Sequence, residues 1–77
     1  MDEEYILENR LRVARAEKEI TQANLAAIAG VSRQTIIAIE SRHYNPSVKL
    51  AFILAKCLGK DINELFSIHG PYNKECE

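Results

Sequence analysis

The sequence predicts an all-α fold, a compact single domain of five short helices. Three observations carry that prediction. Apolar residues recur at three- and four-residue spacing, hydroxyl or acidic residues stand at the start of the apolar runs, and glycines close two of them. A chain of 77 residues, 47% hydrophobic and 27% charged, can fold around one core but has little material for a deep cleft. A binding module fits that size better than an enzyme does.

The elements follow in order. Leu7, Leu11 and Ala14 recur at helical spacing, which predicts an amphipathic helix over residues 7–18. Thr21 is placed to cap a second helix over residues 22–29, with Leu25, Ala26 and Ala29 inward. Gly30 then supplies the positive φ that ends it. Ser32 caps a third helix over residues 33–41, burying Ile36 and Ile39. After the turn RHYN, Pro46 and Ser47 restart the chain, and Val48 to Leu58 forms a strongly apolar fourth helix closed by Gly59. Asp61 with Glu64 three residues on has the form of a capping box for a short fifth helix. Leu65, Phe66 and Ile68 end the apolar pattern. EEYIL near the start and FSIHG near the end are the two candidates for a minor terminal β-hairpin. The domain limits read as an acidic arm over 1–6, the folded body over 7–68 and a tail over 69–77.

The net charge of −1 hides an asymmetry. Asp2, Glu3, Glu4 and Glu8 crowd the N-terminus, whereas residues 9–72 hold nine Lys or Arg against five acids, a local +4. Local field rather than the overall sum governs association with a polyanion. Cys57 and Cys76 show no metal-type or redox-type spacing and fit a reducing, cytoplasmic setting, with Cys57 packed as a small hydrophobe. No run approaches a membrane span and none has the form of a secretory leader. No cofactor, metal or small-molecule ligand is indicated. The chain has no H-E-x-x-H, Gly-rich phosphate loop, paired cysteines or carboxylate dyad, and Ser32 is explained by its capping role.

The informative stretch is QANLAAIA-GVS-RQTIIAIES. Two short helices joined at a glycine, the first carrying small Ala26 where the pair must approach, define a helix-turn-helix whose second member projects its N-terminal end. Ser32, Arg33, Gln34 and Thr35 form that tip. Free backbone N–H groups there favour phosphate, an arginine fork matches guanine O6 and N7, and a glutamine amide matches adenine N6 and N7. Ile37 and Ala38 lie on the same outward face, where two apolar residues suit thymine methyl groups better than water.

Residues 10–66, with TQ at one helix start, then GVSRQTI, IE and YNPS, resemble the Xre/Cro-type helix-turn-helix family of the lambda-type repressors, particularly its short stand-alone regulators. The resemblance implies a lambda repressor-like DNA-binding domain. It implies that Gln22 touches a phosphate and braces the recognition helix, and that Arg33, Gln34 and Thr35 read bases and phosphate, with Ile37 and Ala38 on the next turn. It implies a salt bridge between Arg15 and Glu40, and backbone contacts from Tyr44 and Asn45. Arg42 and His43 stand nearby. Where family members often carry a flexible Asn-Gly pair, this chain has Ser41-Arg42, which sets Arg42 as a phosphate contact at a strained position. Arg10 is the expected phosphate contact of the first helix, and Lys49, Lys56 and Lys60 read as solvated charges.

The expected activity is therefore sequence-specific binding of double-stranded DNA as a homodimeric repressor on a pseudo-palindrome. The dimer surface is expected at Leu65, Phe66 and Ile68 with Tyr5 and Leu7. The competing reading is an antitoxin or protein-interaction module with the same fold, which has no need of the Arg-Gln-Thr tip.

Overall fold

The structure, a computed structural model, describes residues 5–70. Among them, five helices lie between two strands: β1 Ile6–Asn9, α1 Leu11–Glu17, α2 Gln22–Ala29, α3 Arg33–Glu40, α4 Val48–Cys57, α5 Ile62–Leu65 and β2 Phe66–His69.

Four of the helices start where a short polar side chain replaces a missing backbone partner. Thr21 Oγ1 accepts from Asn24 N at 3.0 Å, Ser32 Oγ from Thr35 N at 3.1 Å, and Ser47 Oγ from Leu50 N at 3.0 Å. Asp61 and Glu64 complete a reciprocal capping box, with Glu64 Oε1 accepting from Asp61 N at 2.8 Å. Each such cap is worth about 1 kcal/mol. Gly30, at φ +80, ends α2 as expected, and Gly59, at φ +65, follows α4.

The core takes residues from every helix: Leu11, Leu25, Ile36, Ile39, Leu54, Leu58 and Leu65 are fully buried. Ala14 and Ala26 are buried among them, and Ala29, Val31 and Cys57 pack partly against the cluster. Ala26 lets α2 approach α3 closely, which fixes the angle at which α3 leaves the body. Cys76 lies outside the described residues, as do most of the arm and tail. Of those two segments, Tyr5, Ile6, His69 and Gly70 are described.

The first helix is shorter than its periodicity predicts. Residues 6–9 pair antiparallel with β2 in the register Ile6–His69, Leu7–Ile68, Glu8–Ser67 and Asn9–Phe66. Leu7 thus belongs to a strand, and α1 begins only at Leu11. Asn9 makes the break: its Oδ1 accepts from Leu11 N at 3.1 Å, while its Nδ2 donates to the Ile39 carbonyl at 2.9 Å. One side chain thereby starts α1 and ties β1 to the C-terminal end of α3. Arg10 N, bonded to the Leu65 carbonyl at 2.9 Å, holds the same corner to α5. The other ends move by a residue: Ser41 and Leu58 are C-caps of α3 and α4 rather than members.

Candidate nucleic-acid interface

The corner between α2 and α3 is closed by backbone bonds. Gly30 N and Val31 N both donate to the Ala26 carbonyl, at 2.9 and 3.0 Å. Ser32 then caps α3 and also shares a hydrogen bond with Thr35 Oγ1 at 2.9 Å. Ile36 and Ile39 anchor the helix in the core. Ser32, Arg33 and Gln34 are left exposed at its tip, with Thr35, Ile37 and Ala38 half-buried along its flank. Arg42, Tyr44 and Asn45 are exposed after its far end.

Behind the tip lies a chain of charge-assisted bonds centred on Glu40, whose side chain is 1% exposed. Arg15 Nε donates to Glu40 Oε2 at 2.8 Å and Arg15 Nη1 to the Ile20 carbonyl at 2.9 Å. Gln22 Nε2 donates to Glu40 Oε1 at 3.1 Å, and Gln22 Oε1 accepts from Arg33 Nη2 at 3.2 Å. Burial alone would raise the pKa of Glu40. Hydrogen bonds from Arg15 and Gln22, with the charges of Arg15 and Arg12, outweigh it and hold the carboxyl below its usual range. The helix-one to helix-three bridge and the bracing role of the glutamine, both implied by the resemblance, are thus visible as bonds within the free chain. The link reaching from Gln22 to Arg33 has no local sequence signal, because its partners are eleven residues apart on different helices.

Arg12, Arg15 and Arg33 surround the N-terminus of α2, lining with Thr21, Gln22 and Ala23 an open notch of about 430 Å³. Of these three guanidiniums, Arg12 and Arg15 reach the Glu40 carboxylate directly and Arg33 is linked to it through Gln22. The first backbone N–H groups of α2 add their own partial positive charge. The arrangement can hold a phosphate. Arg12, 73% exposed and 3.7 Å from Glu40 Oε1, joins this group, whereas Arg10 does not. Arg10 instead lines a notch with Glu17, Lys60 and Glu64, beside the 2.9 Å Lys60–Glu17 pair. The signal that separates them is the i,i+3 relation of Arg12 to Arg15, which puts both on one helix face.

Arg42 is not brought to this cluster. It follows the opposite end of α3, about 12 Å along an eight-residue helix. Its φ of +65 bears out the strained geometry expected at a non-glycine residue there, and its Nη1 lies 3.6 Å from Glu8 Oε2. His43 N donates to the Ala38 carbonyl at 2.9 Å, folding the loop back along α3.

These features define a two-helix reader mounted on a helical body. The helix-turn-helix family model matches residues 11–65. An uncharacterized HTH-type transcriptional regulator of Methanocaldococcus jannaschii is 52% identical over 60 residues, covering 78% of this chain and 91% of that protein. The control protein C.SmaI of Serratia marcescens is 31% identical over 75 residues, covering 97% and 89%. The crystal structure of the restriction-modification controller protein C.AhdI from Aeromonas hydrophila superposes with a TM-score of 0.68 at 31% identity, covering 71% of this chain and 83% of that one. The chain belongs to the helix-turn-helix family, among its Xre-type transcriptional regulators. Among the described residues no helix is long and apolar enough to cross a membrane.

Proposed function

We propose that this chain is a cytoplasmic, sequence-specific DNA-binding repressor that works as a homodimer, each copy inserting α3 into the major groove of one half of a pseudo-palindromic operator. The observation that carries this reading is the exposed Arg33–Gln34 tip braced from behind by Gln22, Glu40 and Arg15. Bracing lowers the ordering cost of a long side chain on contact, so Arg33 meets the groove with less freedom left to lose. In this reading Arg33 takes guanine O6 and N7, and Gln34 takes adenine N6 and N7. Ser32, Thr35, Gln22 and Arg12 meet the phosphates on the near side, and Arg42, Tyr44 and Asn45 meet the backbone on the far side. Ile37 and Ala38 supply apolar contact along the groove wall.

Dimerisation enlarges an interface that one such small module cannot make large enough for tight binding. The surface suited to it is the hairpin end, where Leu7, Ile62, Phe66 and Ile68 line a mainly apolar notch and Ile68 is 60% exposed. Leu65, expected on this surface, is instead buried in the core as the last residue of α5. Tyr5 lies at the same end, with its ring against Gly70. Half-sites would then lie about 34 Å apart, one helical turn. Repression is the simplest outcome of a DNA-reading surface combined with a self-association surface, since occupancy of the operator suffices for it. The Serratia and Aeromonas relatives, a control protein and a restriction-modification controller by name, are compatible with that economy of parts.

Binding to generic duplex, followed by fluorescence anisotropy across a salt series, tests the DNA reading. A steep fall in affinity with salt is the expected result. Absence of binding at every salt concentration would leave only a protein-interaction role. Selection from a random duplex pool then reports the operator, and a consensus without two-fold symmetry would overturn the dimer geometry.

A further inference from the structure

One backbone oxygen brings Arg42 and the first strand together. The Ile39 carbonyl, near the end of α3, accepts from Arg42 N at 3.0 Å and from Asn9 Nδ2 at 2.9 Å. The first bond closes the left-handed turn at Arg42, and the second holds β1 against the same helix end. Glu8, the residue before Asn9, is thereby set beside Arg42, and its Oε2 lies 3.6 Å from Arg42 Nη1. Its other oxygen, Oε1, lies 3.8 Å from Nε2 of His69 on β2. That imidazole is charged only when protonated, and the same nitrogen shares a 3.1 Å bond with Ser67 Oγ. An arginine stays charged throughout, so Arg42 is the standing partner of the carboxylate. Both side chains remain in water, Arg42 55% and Glu8 40% exposed. An incoming anion can therefore reach the guanidinium, and it meets Glu8 there.

We infer that Glu8 is a built-in competitor for DNA phosphate at Arg42: it engages the guanidinium in the free protein and is displaced from it on the duplex. The inference rests on the DNA-binding reading and adds to it a residue outside the helix-turn-helix that sets affinity through Arg42. A carboxylate and a phosphate make the same demand on a guanidinium, acceptor oxygens matched to its N–H fork. Holding both at once would set two anions side by side, where they repel. An exposed pair of this kind is weak and screened by salt, so Glu8 tempers the phosphate contact without blocking it. Arg15 differs in this respect: its 2.8 Å bond to a buried Glu40 is not open to exchange, whereas the longer, wetter Arg42–Glu8 contact is. Phosphate contacts carry no base information, so the effect falls on every duplex alike.

The test is a double-substitution cycle on the full-length protein, read by fluorescence anisotropy with generic duplex over a salt series. Glu8→Gln keeps the side-chain shape and removes the charge. It should tighten binding about threefold at low salt and steepen the salt slope by up to about one, as Arg42 meets the duplex free of an internal partner. Arg42→Gln removes the guanidinium and keeps a non-glycine residue in the left-handed turn. In that background Glu8→Gln should gain clearly less, because only the plain repulsion between Glu8 and phosphate is then relieved. Equal gains in the two backgrounds overturn the inference and make Glu8 a fixed charge near the duplex. A loss of affinity in Glu8→Gln overturns it in the opposite sense, with Glu8 holding Arg42 in place for the phosphate. Urea midpoints and sedimentation equilibrium of Glu8→Gln should match wild type, which excludes folding and self-association as the source of the gain. Duplex binding by wild type with no difference between backgrounds removes this inference alone. Failure of wild type to bind any duplex removes the parent reading and this one together.

Discussion

The two ends of α3 differ in kind. At its N-terminal end the side chains are polar, capped and tied: Ser32 closes the helix, and Arg33 is held through Gln22 and Glu40 to Arg15. At its C-terminal end the helix leans on Asn9 of the hairpin, Arg42 is forced into a left-handed turn, and apolar residues of β1 and β2 remain open to solvent. One end presents hydrogen-bonding groups on a braced tip, and the other lies beside exposed apolar residues of the hairpin. A helix of eight residues suffices to separate these two surfaces because its buried residues are Ile36 and Ile39 alone.

The largest effect should come from breaking the polar end at its centre. Glu40→Ala leaves Arg15, itself largely buried, without its partner, and should lower stability by about 3 kcal/mol or more in urea unfolding. Because the folded-state pKa of Glu40 is depressed, its contribution is complete above the usual carboxylate value of about 4.3. That contribution fades as pH falls through the lower folded value. Glu40→Gln should therefore flatten the acid limb of the stability profile. An unchanged acid limb in that variant would show that the Arg15–Glu40 pair does not govern it.

Next in size, Arg33→Ala and Gln34→Ala should each cost about 1–3 kcal/mol on the selected operator and relax the preferred base, with little loss on generic duplex. Equal losses on both duplexes would demote the tip to a phosphate contact. At the hairpin end, Ile68→Glu would set like charges against each other across the two-fold interface of the proposed dimer. It should weaken self-association by about tenfold or more in sedimentation equilibrium while leaving the polar end unchanged. A dimer indifferent to this substitution would have to be built elsewhere. The smallest shift concerns the turn itself: Arg42→Gly should stabilise the fold by roughly 0.5–1 kcal/mol by relieving the positive φ. The same change should weaken binding to all duplexes alike and reduce the salt slope by about one.

Much of the frame was legible because its cues are local. Thr21, Ser32, Ser47 and Asp61 announce their helices by bonding backbone two or three residues on, and the inward residues of α2 to α5 follow one period. The start of α1 was not legible. The two strand candidates, EEYIL and FSIHG, do pair as a hairpin, but Leu7, Leu11 and Ala14 also satisfy helical spacing, and the register that sets Leu7 opposite Ile68, sixty-one residues on, is carried by no local window. The same limit hid the role of Asn9, whose partner is the Ile39 carbonyl. Arg12, by contrast, carries a local mark, its three-residue spacing to Arg15, which Arg10 lacks. Candidate tip residues were found because helix phase alone exposes them. The bonds that hold Arg33 join three helices and needed the tertiary fold.

The pairing of Ile6 with His69 also fixes where the ends of the folded body emerge: side by side. A short linker could join them into a ring, and the chain could be reopened at an exposed bend such as Lys18–Glu19 to give a circular permutant. Reordered in this way, the body would keep α2, the corner at Gly30 and α3 as one uninterrupted piece of chain.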